Sequence, residues 1–411
     1  MVTQTTTGLD ERTRDIIKAT VPILQERGDE ITERFYQLML EAHPELKNIF
    51  NQTNQRKGDQ SKALANTVYA AAANIDQLEA ILPAVKPIAH KHKSLNIKPE
   101  HYPIVGKYLL LGMKDVLGDA ASDEVINAWE KAYGVIANVF IDVEKQMYEE
   151  LESTVGGWLD FRDFKVVKKV VESDVITSFY LDAVDEKPFP AHQAGQYITV
   201  KADIPGEPHS HLRQYTLSCA PGEEFYRISV KREDALNNNP AGIVSNFLHA
   251  QLEVGSILPI SAPSGDFILD TEDHRPLILM SGGVGLTPMM SMLETVIKEQ
   301  PEREVFFIHA AQSGKVHAMK DRVKEITEAH PQVTAYTVYD SPGAEDEGVY
   351  DKDGYIDEAW LRSVLPTSDA NVYFCGPKGF MQAMYQHLTK LNVADEDIHY
   401  EVFGPATGIT A

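Results

Sequence analysis

Cysteine is nearly absent: Cys219 and Cys375 are the only two in 411 residues. Far apart in the chain, they leave no basis for a disulfide framework or a cysteine zinc site, and a reducing cytoplasm is the expected compartment. Positive charge is scarce as well, with 38 Lys and Arg against 61 Asp and Glu, a formal net charge of −23. Phosphate backbones require a basic surface, so no nucleic-acid partner is expected and an anionic membrane surface is disfavoured. Long apolar runs are missing too. Tyr108–Met113 and Leu277–Met280 are too short to span a bilayer, and polar Met1–Asp15 lacks the apolar core of a secretion signal, so no integral membrane association is expected. What remains is an ordinary globular composition, 43% hydrophobic and 24% charged, in a chain long enough for two or three domains.

The first third reads as helices only, over about Asp10–Leu151, with breaks at Pro44, Asn51–Gly58, Pro99 and Gly118–Ser122. Leu78, Ile81, Leu82, Val85, Ile88 and Ala89 recur at three- and four-residue steps, and His92 continues their apolar stripe. A neutral imidazole on such a face can ligate haem iron, or it can be a core histidine bonded to a carbonyl. Pro99 suits the first turn of the next helix, whose stripe is Tyr102, Val105, Leu109 and Met113. The last helix starts at Ser122-Asp123-Glu124 and carries Trp129, Tyr133, Ile136, Phe140 and Met147, with Glu144 on the same stripe. Buried carboxylates are rare unless paired. Glu144 therefore either joins Tyr102 behind His92, fixing its tautomer and raising its basicity, or reaches out to solvent from the edge of the stripe. Earlier, Tyr36 lies on one side of a helix with Thr32, Phe35, Met39 and Leu40, and Gln60 heads a face with Leu64, Thr67, Val68 and Ala71. A buried phenol needs a partner, although each residue alone also fits a boundary tyrosine and a solvated glutamine.

An all-helical stretch of this length, with these residues, resembles a globin. The match to the bacterial flavohaemoglobins is closer still, through Pro44-Glu45-Leu46-Lys47, Gly58-Asp59-Gln60 and Lys91-His92 with Tyr102 and Glu144. The resemblance implies His92 as the proximal iron ligand of haem b, Phe50 packed on the haem, and Tyr36, Gln60 and Leu64 as the distal side.

After a linker-like Glu152–Gly157, the period changes. Phe164–Val171, Val175–Val184, Tyr197–Ala202, Gln214–Ser218 and Tyr226–Lys231 are short β-branched or aromatic runs separated by Pro, Gly and Asp, which predicts an antiparallel barrel. In Arg213-Gln214-Tyr215-Thr216-Leu217-Ser218 an arginine could hold a pyrophosphate, an aromatic a ring, and a hydroxyl a flavin nitrogen. As a lone hexapeptide it equally reads as a strand with a surface arginine. Gly242–Phe247 is read as a helix start with free backbone amides.

The last third alternates strands (Pro276–Met280, Glu304–Ala310, Val333–Tyr339, Val372–Cys375) with helices, predicting an open doubly wound α/β sheet. Between the first strand and a helical run over Met289–Lys298 stands Ser281-Gly282-Gly283-Val284-Gly285-Leu286-Thr287-Pro288, with Thr287 read as the cap and Pro288 as the helix opener. Cys375-Gly376-Pro377 closes the last strand, where ligands bind in such sheets; the cysteine could also be a small buried hydrophobe. Asp340–Gly354, acidic and glycine-bearing, is read as a solvated loop.

The order of barrel, helix start and nucleotide domain resembles the ferredoxin reductase family. The whole chain is thus similar to the flavohaemoglobins, with a globin domain at 1–151, a linker at 152–160, an FAD barrel at 161–270 and an NAD(P)-binding α/β domain at 271–411. The resemblance implies FAD held by Tyr197, Arg213, Tyr215, Thr216, Ser218, Gly242, Val244 and Ser245. It implies NAD(P)H held by Gly282, Gly283, Gly285, Thr287, Pro288, Cys375, Gly376 and Pro377, with Phe403 covering the flavin. Thr216 departs from the serine usual in that family, a change that keeps a hydroxyl. The implied activity passes hydride from NAD(P)H to FAD and electrons to haem, where O2 oxidises nitric oxide to nitrate, in a monomer whose partners are O2 and NO. An O2-sensing haem protein and an NAD(P)H-driven reductase of ferric iron, quinones or hydroperoxides are the alternatives.

Overall fold

Local chemistry sets the first helix. The Asp10 carboxylate accepts the Thr13 amide at 2.8 Å and the Thr13 hydroxyl at 2.9 Å, so helix α1 (Glu11–Ala42) starts there. The structure, a computed structural model, describes residues 8–50, 58–236 and 239–404. The interruption read over Asn51–Lys57 and the side chain of Asp59 lie outside the described residues.

After α1 come α2 (Asp59–Ala73), α3 (Leu82–Ser94), α4 (His101–Leu117) and α5 (Asp123–Ser153). They bury one core that includes Ile17, Ile31, Phe35, Met39, Val85, Met113 and Trp129. Three details depart from the sequence reading. Leu78–Ile81 forms its own 3-10 turn and Leu82 points outward, exposed, because the chain turns there before α3 begins. Pro99 stands in the turn before α4, where its carbonyl accepts the Tyr102 amide, and the helix opens two residues later. Helix α5 runs through Ser153, two residues into the stretch read as linker. It begins as expected, with the Ser122 hydroxyl accepting the Val125 amide at 3.4 Å.

The chain divides into two compact units, Met1–Asp160 with Lys201–Arg213, and Phe161–Val200 with Gln214–Ala411. In the β-rich part, strands β1 (Arg162–Val171), β2 (Ile176–Ala183), β3 (Tyr197–Ala202), β4 (His211–Thr216), β5 (Tyr226–Lys231) and β6 (Ile257–Ile260) form one sheet in the order β4-β3-β6-β1-β2-β5. The pairs β1–β2, β1–β6, β2–β5 and β3–β6 are all antiparallel. The strand carrying Arg213 begins at His211, not at Gln214, and the four-residue β6 is too short to stand out as alternation. Helix α6 (Ile243–Gln251) follows β5 with Gly242 at its N-cap.

The α/β part holds β7 (Leu277–Gly282), α7 (Leu286–Glu299), β8 (Val305–Ala311), α8 (Lys320–Ala329), β9 (Val333–Tyr339), β10 (Lys352–Asp353), α9 (Glu358–Val364), β11 (Asn371–Cys375), α10 (Lys378–Lys390) and β12 (Ile398–Glu401). All pairings in the order β10-β9-β8-β7-β11-β12 are parallel, and every residue of β7 and β11 is buried, as strands covered on both faces require. Asp340–Gly354 is not a purely solvated loop. It contains β10, and its Asp346 is buried because the carboxylate accepts the backbone amides of Gly314 at 3.1 Å and Gly343 at 2.8 Å.

Within the second unit, buried polar contacts tie barrel to α/β sheet. Arg227 of β5 pairs with Glu294 of α7 at 3.2 Å, and Arg322 of α8 reaches the other oxygen of Glu294 at 3.1 Å. The Ser291 hydroxyl of α7 donates to the Cys219 carbonyl at 2.7 Å, which the His192 ring also meets at 3.0 Å.

Candidate functional site

Helix α3 ends over the site. Val85 and Ala89 bury its inner face and bring His92, one turn on, to the same side. Nδ1 of His92 lies 2.7 Å from Glu144 Oε1 of α5 and 3.2 Å from the Tyr102 hydroxyl of α4. Tyr102 in turn donates to the same carboxylate oxygen at 2.5 Å. An ionised carboxylate only accepts, so the ring carries its proton on Nδ1 and presents Nε2 as a lone pair. Glu144 is only 2% exposed; it does not reach solvent, and its charge is met by two donors. Burial, then the adjacent Glu144 charge, pushes the Tyr102 phenol far up, so it stays a donor. Its backbone is held in place as well: the Tyr133 hydroxyl donates to the Tyr102 carbonyl at 2.6 Å, and Tyr133 fits only because residue 106 is glycine, where a Cβ would lie 2.4 Å from its ring.

Tyr36 is buried among apolar neighbours, its ring 4.6 Å from Phe35 and 5.6 Å, edge-on, from Phe50. Burial pushes its phenol up, while a hydrogen bond with Gln60 acts the other way. A phenol kept protonated in this way is able to donate its O–H. The Thr32 hydroxyl, 2.9 Å from the Ser61 carbonyl, pins α1 to the start of α2 beside Gln60. Phe50, Leu64, Val68, Ile88, Ile97 and Val105 pack on the core yet remain only partly covered. Partly covered apolar side chains and a histidine with one lone pair are what a flat, apolar, iron-bearing group needs.

In the second motif Thr216 is buried and Arg213 and Tyr215 are half-buried, with Arg213 Nη1 donating to the Leu212 carbonyl at 2.8 Å. Ser218 is placed differently from its neighbours. It is 0% exposed, and its hydroxyl is engaged by Ser229 at 2.9 Å and Arg227 Nε at 3.1 Å, so no side-chain contact with a ring is left to it. Half-buried Tyr197 opens β3, its amide and carbonyl each 2.8 Å from Ser264. At α6 the Ser245 hydroxyl accepts the Glu233 amide at 3.1 Å and donates to the Gly242 carbonyl at 3.2 Å, and Val244 is buried beside it; this fixes a helix N-terminus whose amides suit a phosphate. Phe403, after β12, is 47% exposed, a large aromatic side chain left uncovered.

The third motif converges on the carboxyl ends of β7 and β11. A Cβ on Gly285 would stand 2.2 Å from the Cys375 carbonyl oxygen, and one on Gly376 would stand 2.7 Å from the Phe380 ring and 3.1 Å from the Gly282 nitrogen. Gly283 has φ of 54°, so its backbone favours glycine. Gly285, not Thr287, is the N-cap of α7: the helix begins at Leu286 because the turn must clear Cys375. Thr287 instead donates to the Val284 carbonyl at 3.1 Å, with Pro288 buried behind it and Pro377 as the N-cap of α10. Cys375 is wholly buried, and burial with the nearby Glu401 charge pushes its thiol far up, so it is an inert small side chain. Glu401 lies in register with Cys375 on β12.

A globin family model matches residues 33–140, and an oxidoreductase NAD-binding domain model matches residues 279–386. A flavohemoprotein of Oceanobacillus iheyensis is 63% identical over 404 residues, covering 98% of each chain. One of Bacillus subtilis is 52% identical over 399 residues, covering 97% of this chain and 98% of that one. Among solved structures, a flavohemoglobin of Malassezia yamatoensis with bound FAD and heme aligns with a TM-score of 0.83 at 30% identity, over 96% of this chain and all of that one. The flavohem-like FAD/NAD binding domain of nitric oxide dioxygenase from Vibrio cholerae aligns with a TM-score of 0.54 at 38% identity, over 60% of this chain and all of that one.

Proposed function

The chain belongs to the flavohemoprotein family, and from that premise we propose that it acts as an NAD(P)H-dependent nitric oxide dioxygenase holding haem b and FAD. The observation that carries the reading is the triad of half-buried His92 with buried Glu144 and Tyr102, on the same chain as an oxidoreductase NAD-binding domain. When bound, the cofactors supply the redox chemistry, carrying electrons from NAD(P)H through FAD to haem, where O2 converts NO to nitrate. The residues do the rest. His92 offers Nε2 to the iron, and Glu144, accepting the Nδ1 proton at 2.7 Å, makes that nitrogen a stronger electron donor. Tyr102 holds the carboxylate in line. Tyr36, kept protonated by burial, offers its hydrogen to a diatomic ligand, with Gln60 bonded to the phenol and Leu64 and Phe50 keeping the surroundings apolar. Arg213, Tyr215, Thr216, Tyr197 and the amides at Gly242–Ser245 bind the flavin, and Phe403 covers it. The backbone at Gly282–Gly285 and Cys375–Pro377 cradles the dinucleotide, with Thr287 and Pro288 fixing the helix start.

The domain assignment is globin at 1–151, linker at 152–160, flavin barrel at 161–270 and NAD(P) domain at 271–411. The two cysteines are free and buried, which suits a reducing cytoplasm, and among the described residues no helix is long and apolar enough to cross a membrane. We take the protein to be a monomer there, with O2 and NO as its ligands.

The test is an absorption spectrum of the purified protein before and after anaerobic NADH, followed by NO consumption in air. A Soret band that shifts to ferrous haem, then NO-dependent NADH oxidation yielding nitrate, is expected. Flavin that bleaches while haem stays ferric, without NO turnover, would replace this reading with a plain NAD(P)H-driven reductase.

A further inference from the structure

The segment between β3 and β4 belongs to the helical unit: Lys201–Arg213 joins Met1–Asp160, and the second unit resumes at Gln214. Strand β4 therefore begins in the first unit and carries Arg213 there, with Tyr215 and Thr216 just beyond. The segment is closed on itself. The Glu207 amide donates to the Ile204 carbonyl at 3.0 Å, the Ser210 hydroxyl donates to Asp203, and His211 Nε2 lies 3.3 Å from Glu207. A loop closed in this way moves as one piece, and Ser210 is its last residue before β4.

Ser210 is tied to a residue far away in sequence. Its amide donates to Asn48 Oδ1 at 2.9 Å, while Asn48 Nδ2 donates to the Glu45 carbonyl at 2.9 Å. A flipped side chain would set N–H against N–H and oxygen against oxygen, so the two bonds fix which way the amide points. Asn48 closes the 3-10 turn Pro44–Asn48, anchored by buried Leu46, whose carbonyl accepts the Ile49 amide at 2.9 Å and the Phe50 amide at 3.1 Å. Phe50 in turn stands edge-on to Tyr36. From Phe50 to Arg213 the path is thus a short piece of turn, one clamped side chain and the start of β4. Asparagine is short, and with both ends bonded it transmits position where a long, rotamer-rich side chain would only tether.

We infer that Asn48 is a positioning residue for electron delivery: by clamping the Ser210 amide it holds the strand that carries Arg213, Tyr215 and Thr216 to the turn that carries Phe50. The inference rests on the proposed passage of electrons from flavin to haem. One electron leaves the reduced flavin for the ferric iron, and no atom or proton passes through Asn48. The residue acts on the rate alone, because a transfer between two held groups falls steeply when either is misplaced.

The holoenzyme decides it. Mixed anaerobically with NADH in a stopped-flow spectrometer, Asn48→Ala should bleach its flavin at the wild-type rate and reduce its haem about tenfold more slowly. Asn48→Asp keeps an acceptor for the Ser210 amide and should restore haem reduction to within about twofold of the wild type. Hydrogen exchange read by mass spectrometry needs no turnover: the Ser210 amide should be protected in the wild type and the aspartate variant, and exchange about tenfold faster in the alanine variant. Asn48→Gln, which carries the amide on a longer stem, should behave like the alanine variant and decides the matter if that one does not retain both cofactors. Haem reduction at the wild-type rate in a variant whose Ser210 amide has lost its protection would overturn the inference. So would flavin bleaching slowed as much as haem reduction, or a Ser210 amide unprotected in the wild type. A wild type whose flavin bleaches while its haem stays ferric loses the proposed function and this inference with it; a wild type that reduces its haem, with an alanine variant equally fast, loses only the inference.

Discussion

The helical unit and the α/β part of the second unit build their sites from opposite materials. In the helical unit the proposed site rests on side chains: Glu144 and Tyr102 bonded at His92, and Tyr36 with Gln60, each buried or half-buried. Around Gly285 it is done by the absence of side chains, where the Cys375 carbonyl, the Gly282 nitrogen and the Phe380 ring leave no room for a Cβ. A site of the first kind can lose its chemistry while keeping its fold. A site of the second kind fails geometrically.

That contrast can be pressed hardest at the glycine. Gly285→Val places a branched side chain 2.2 Å from the Cys375 carbonyl, so NADH-driven flavin bleaching should be lost, while the haem spectrum stays that of the wild type; a variant still reduced by NADH at the wild-type rate would show that the turn yields easily. Glu144→Gln comes next. It keeps an acceptor for His92 but removes the charge, and NO turnover should drop by about 10- to 100-fold with haem retained and the iron–histidine stretching frequency lowered; an unmoved stretch would mean the carboxylate does not act through His92. Tyr36→Phe removes one hydrogen bond to a bound ligand, about 1–2 kcal/mol, and should speed O2 release by about tenfold, with flavin reduction untouched. Unchanged O2 dissociation would reject that role. Smallest is Arg213→Ala, a half-buried cation at the flavin motif, expected to weaken FAD retention by a few-fold on gel filtration.

The same contrast explains what could be read before the fold was known. Helical spacing placed Glu144 on the stripe of Phe140 and Trp129, and the structure finds it buried against His92. Period-two runs located β1, β2, β3, β5, β8 and β9 to within a few residues. Backbone-made features were harder. Thr287 looked like the cap because threonine caps well, but only the Cys375 carbonyl pressing on the turn shows why Gly285 takes that place. Asp346 looked solvated within an acidic run, since its partners are amides of Gly314 and Gly343, which every residue type possesses. Ser218 looked like a flavin contact, yet Arg227, a residue of the next strand, takes its hydroxyl.

That arginine has a consequence for inheritance. Its pairing with Glu294, and Glu294 with Arg322, means that barrel and nucleotide sheet each hold one side of a buried charge contact. Exchanging the nucleotide half for a foreign one would leave the buried Arg227 without its carboxylate, a loss of about 3–5 kcal/mol, whereas exchanging the barrel leaves Glu294 one of its two arginines. Gene fusions and chimeras of this chain are therefore expected to succeed when the reductase travels as a single block.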